Sequence, residues 1–82
     1  MSSQAFNDIL RKEISNSFNI LENDIKIINI SKSSIEVYIP PSTSIDSITR
    51  HVKGFISWAY GIFLTNVKNV VVAHSNPVAF TE

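Results

Sequence analysis

The chain has 82 residues, no cysteine, and seven lysines and arginines set against seven aspartates and glutamates. A chain this short forms one domain that buries only roughly 60% of the surface its unfolded form exposes. Without thiols it has no disulfide, thiolate metal site or cysteine nucleophile, and its zero net charge leaves no field to gather a polyanion, which weighs against non-specific DNA binding.

Ser2 or Ser3 caps a first helix, expected over about residues 3–20, whose apolar positions are Ala5, Phe6, Ile9, Leu10, Ile14 and Phe18. Asn16, Asn19 and Asn23 weaken helix propensity and place its end between Phe18 and Glu22. A first strand is expected over 24–30. Its pattern of Ile25, Ile27, Ile28 and Ile30 is not clean alternation, which implies cover on both faces or a bulge. Ser31 to Ser34 has the length of a hairpin connection. The second strand, 34–39, alternates cleanly: Ile35, Val37 and Ile39 point one way, Glu36 and Tyr38 towards water. Pro40 and Pro41 stop it, because proline lacks the N–H that a ladder needs.

Thr43-Ser44-Ile45-Asp46 fits a helix N-cap with an acid early in the first turn, where it meets the positive end of the helix dipole. It opens a long helix expected over 44–65. Ile45, Ile48, Val52, Phe55, Ile56, Ala59, Ile62 and Phe63 recur at three- and four-residue intervals and share one side of it. A third strand is expected over 67–74, with Val70 and Val72 on one face, Val71 and Ala73 on the other, a pattern that suits cover on both sides. Asn76-Pro77 ends it. The tail over 77–82 carries Val78, Ala79 and Phe80 and is expected to fold back or to dock on a neighbour. The order α-β-β-α-β makes residues 1–82 a single small α+β domain. A hairpin followed by a right-handed helical crossover gives a three-stranded mixed sheet with both helices on one face.

At 100° per residue, the positions opposite the apolar stripe of the long helix are Ser47, Arg50, Gly54, Ser57 and Gly61. Glycine inside a helix costs about 1 kcal/mol relative to alanine, so two on one line call for a reason. Close approach of another backbone, from a second copy or a partner, is one. Trp58 and His51 flank the line, and tryptophan is enriched where binding energy concentrates. The candidate interface is therefore Gly54, Ser57, Trp58, Gly61 and His51, with Phe80 from the tail. The alternative is that the first helix or the tail covers the same line within one chain.

Motifs for chemistry are absent. His51 and His74 form neither an HxxxH nor an HxH pair, and the seven acids are scattered, so no metal and no cofactor is expected. Twelve serines occur without a nucleophile-elbow sequence, and both glycines fall inside the long helix rather than in a phosphate-binding loop. A small enzyme using His74 or His51 as general base would need a concave site beside a carboxylate.

The element order resembles, in topology, the type II KH domain, in which a Gly-x-x-Gly loop joins two helices and clamps a nucleic-acid backbone. Here Gly54 and Gly61 stand seven apart, and the loop, its basic flanks and the second helix are missing. What the resemblance implies is an alternative function, single-stranded nucleic-acid binding, with Tyr38, Lys32, Arg50 and Lys53 as its contacts.

The first reading is a non-enzymatic protein-interaction or assembly module, working as a homo-oligomer or as a subunit of a larger complex. The scarcity of charge, 17% of residues, supports it, because little repulsion keeps copies apart. Thirteen isoleucines with abundant asparagine and serine match an AT-rich coding sequence, an association that points to viruses and mobile elements. Met-Ser-Ser-Gln-Ala-Phe lacks the basic and apolar regions of a secretory signal, and the apolar window from Gly54 to Leu64 is too short to span a bilayer. A soluble, cytoplasmic protein is expected.

Overall fold

A computed structural model describes residues 2–75. Helix α1 spans Ser3–Phe18, strand β1 Lys26–Ser31, strand β2 Ser34–Ile39, helix α2 Ile45–Gly61 and strand β3 Asn69–His74, with one 3₁₀ turn at Glu22–Asp24. This is the α-β-β-α-β order of a small α+β domain, with both helices packed on one face of a three-stranded mixed sheet.

The side chain of Ser2 starts α1 by accepting the Ala5 N–H at 3.1 Å. Asn19 ends it in the left-handed conformation (φ 56°, ψ 48°), and Ile20 N–H turns back to the Ser15 carbonyl at 3.2 Å. Asparagine enters this backbone region more readily than most residues, and the returning Ile20 is buried. Arg11 Nε donates to the Ile25 carbonyl at 3.2 Å and so ties α1 to the entry of β1.

β2 is the central strand, antiparallel to β1 and parallel to β3. The two-residue turn at Lys32 and Ser33 permits the first pairing, while the second needs a crossover, which α2 supplies. Ile35, Val37 and Ile39 point from β2 into the core, where they meet Leu10 and Ile14 of α1 and Ile48, Val52, Ile56 and Ala59 of α2. All are at most 2% exposed.

Three details differ from the sequence reading or choose between its alternatives. β1 contains a register shift between Asn29 and Ser31, but its adjacent isoleucines precede it: Ile27 stands opposite Val37 on the core side, and Ile28 stands opposite Glu36 on the outer face, where it is half-buried. Ile27 packs on the core while Ile30 is exposed beyond the shift. Among the described residues, β3 is covered on one side only, since Val72 is buried and Val71 is 61% exposed on the outer face. The long helix ends at Gly61, not near residue 65, and Ile62 and Phe63 leave the core stripe for the surface.

Candidate functional site

The end of α2 explains the misplaced pair. Phe63 adopts a left-handed backbone (φ 61°), its N–H bonds the Tyr60 carbonyl at 3.1 Å, and Leu64 N–H reaches the Ala59 carbonyl at 2.9 Å. These two reverse bonds form a Schellman closure that returns Leu64 to the core. The residue between must point outward, so Phe63 is 87% exposed and Ile62 48%.

Neighbouring elements take the two flanks of α2. On one, α1 brings Phe6 to 6.2 Å from Phe55 and Phe18 edge-on to His51 at 5.3 Å. On the other, β3 and α2 enclose a groove lined by Lys53, Ile56, Ser57, Tyr60, Lys68 and Val70. Between the flanks runs the line of small residues. Arg50, Gly54, Ser57 and Gly61 are exposed, and among the described residues no atom outside the helix's own backbone lies within 4 Å of where a Cβ would stand on either glycine. α1 therefore does not cover this line, and Phe80 lies outside the described residues. Trp58 borders it, 56% exposed, with its ring 5.7 Å from that of Phe55. Phe6, Phe55 and Trp58 thus make an aromatic row that runs from core to surface, and Ile62 extends it by one turn.

His51 is bound to α1 rather than free at the rim. Its Nε2 donates to Glu13 Oε2 at 2.8 Å, and Ser17 Oγ donates to the same oxygen at 3.0 Å. The imidazole and hydroxyl bonds hold the Glu13 carboxyl below its ordinary value, the His51 bond contributing most. Serine, histidine and acid do meet here, but Ser17 Oγ stands 3.3 Å from the same Nε2 that faces Glu13. A base that activates a serine needs one ring nitrogen for the acid and the other for the hydroxyl. The arrangement instead clamps two helices. His74 Nε2 donates to the Thr43 carbonyl at 2.6 Å, which ties the end of β3 to the loop before α2.

The residues of the nucleic-acid alternative are divided between two sides of the sheet. Tyr38 is on the outer face, donating to Glu36 at 2.9 Å, and this carboxylate raises the phenol above its usual value. Lys32 sits at the hairpin turn, while Arg50 and Lys53 are on α2, across the sheet from Tyr38.

Sequence reasoning did not single out Glu13 and Ser17 as partners of His51, nor Ile62 and Phe63 as surface. No local signal could have found the first pair, which lies 38 and 34 residues from its partner. The second lacked one because glycine and asparagine, the residues that announce a left-handed helix end, are absent from position 63.

Among the described residues, no three His, Asp or Glu side chains are placed to hold a metal ion, and no helix is long and apolar enough to cross a membrane. No family model matches the chain, and neither a curated protein nor a solved structure matches it.

Proposed function

We propose that this chain is a non-enzymatic protein-interaction or assembly module that works as a homo-oligomer, or as a subunit of a larger complex, through the open side of α2. The observation that carries this reading is the exposed Trp58 at the end of the Phe6–Phe55–Trp58 row, beside the bare backbone at Gly54 and Gly61. An aromatic side chain anchored from beneath loses little freedom on docking and offers a large apolar area. Ile62 and Phe63 enlarge that area, and the two glycines let another backbone approach. The division of Tyr38 and Lys32 from Arg50 and Lys53 favours this reading over nucleic-acid binding.

Light scattering behind a sizing column, at two protein concentrations, tests it. The wild-type chain is expected to run as a dimer or larger. Trp58→Ala and Gly61→Leu are each expected to yield monomers that keep the far-ultraviolet circular dichroism of the parent. A Cβ at Gly61 would meet no described atom within 4 Å outside the helix's own backbone, and the position is exposed. A wild-type monomer, or variants that stay associated, would remove this face as the interface.

A further inference from the structure

The two edges of the sheet are built differently. β1 carries Lys26 and an irregular register, devices that discourage a strand from pairing with strangers. β3 reads Asn-Val-Val-Val-Ala-His, with no charged residue among the first five, no proline and an unbroken register on β2. Asn69 N–H bonds the Ser33 carbonyl at 3.0 Å and Ser75 N–H the Ile39 carbonyl at 2.8 Å. Strand alternation between those two bonds turns the amides and carbonyls of Val70, Val72 and His74 outward. Among the described residues, no strand pairs with them.

Beside this edge runs the groove between α2 and β3, with a volume of about 530 Å³. Ile56 and Val70 make its apolar part, and Lys53 and Lys68 supply positive charge. Lys68 Nζ rests 5.7 Å from the centre of the Tyr60 ring. Neither lysine has a carboxylate partner among the described residues, whose ion pairs are Arg11–Asp8, Lys12–Glu22 and His51–Glu13.

We infer that β3 is a docking strand for an extended segment of a partner protein, which pairs with its free edge and sets an acidic side chain at Lys53 and Lys68. Main-chain hydrogen bonds would supply affinity, and the groove would supply selectivity, the division of labour in strand addition generally. The two lysines determine the chemistry of the occupant. A second copy paired through its own β3 would bring no acid from that strand to either lysine. Trp58 and Tyr60 are two residues apart and hence on nearly opposite sides of α2. The groove shares Ser57 with the glycine line but opens on the side of α2 away from Trp58, and the inference stands without the assembly reading.

The probe is a synthetic heptapeptide of alternating threonine and valine with one glutamate, its position scanned, and the matching peptides with lysine in place of glutamate. They are titrated into the isotope-labelled full chain and followed by amide chemical shifts. Glutamate peptides are expected to move the Val70, Val72 and His74 amides and to bind about tenfold more tightly than their lysine counterparts. Lys53→Glu combined with Lys68→Glu, at two exposed positions, is expected to invert that preference while keeping the circular dichroism of the parent. N-methylation of the peptide at alternate residues is expected to abolish binding, since it removes the pairing donors without touching the protein. The inference is overturned by equal affinity of both peptide sets, by shifts centred on Trp58, or by none at about 1 mM peptide. It is equally overturned if these amides shift with protein concentration alone, which would make a second copy the occupant.

Discussion

Phe63 and Asn19 are the two non-glycine residues with positive φ among the described residues. A bulky side chain at φ 61° costs on the order of 1–2 kcal/mol relative to a residue suited to the left-handed region, and its ring lies almost wholly in water. Asn19 closes α1 by the same geometry with less strain. Phe63→Asn is therefore expected to stabilise the monomer by about 1 kcal/mol, read as a higher urea midpoint at unchanged slope. In the proposed assembly the same variant loses an exposed ring and should associate more weakly. Loss of stability in the dilute monomer would mean that the ring packs on the domain.

At the scale of elements, α1 and α2 are joined by contacts of two kinds. Phe6 against Phe55 involves no titratable group, whereas the bond between Glu13 and His51 does. Glu13 has its carboxyl lowered by folding from about 4.5, so it contributes stability that is present above that value and is lost as pH falls through the folded value. Both side chains are about one-third exposed, and solvent screening limits such a pair to about 1 kcal/mol. Glu13→Gln is expected to lower stability at pH 6 by no more than this and to flatten its decline below about pH 4.5. Thermal melts of both chains between pH 3 and pH 6 check the prediction. Parallel declines would show that the carboxylate contributes nothing to the joint.

The whole molecule is a two-layer domain with one core, and its margin is set by size. A domain of 82 residues has a net stability on the order of 5–10 kcal/mol. Ile48 is 1% exposed between α2 and the sheet, and truncating such a side chain to alanine removes about 2–5 kcal/mol. Ile48→Ala is thus expected to lower the melting temperature by at least about 10 °C, read by circular dichroism. A drop of under about 2 °C would mean that α2 is not seated on the sheet as described. Among the described residues, the same two-layer plan puts no element on the outer face of the sheet, where Glu36 and Tyr38 are half-buried and Val71 is exposed.

The sequence by itself determined the element order, the hairpin, the mixed sheet and most of the residues that meet in the core, Ile62 and Phe63 excepted. These follow from local properties: the two-residue alternation of Ile35, Val37 and Ile39, the helical spacing of Ile48, Val52, Ile56 and Ala59, and the stops at Pro40 and Pro41. It also located a line of small residues on α2 with Trp58 beside it. Only the tertiary structure decided that α1 settles against His51 and Phe55 and leaves Gly54 and Gly61 bare, because that choice depends on contacts between residues more than thirty apart. The end of α2 belongs to the same class. Helical periodicity carries on through Ile62 and Phe63, but the burial of Leu64 turns the chain back and sends both to the surface. The edge position of β3 among the described strands is likewise a property of strand order. No residue in Asn69–His74 states whether a neighbour lies on one side or two.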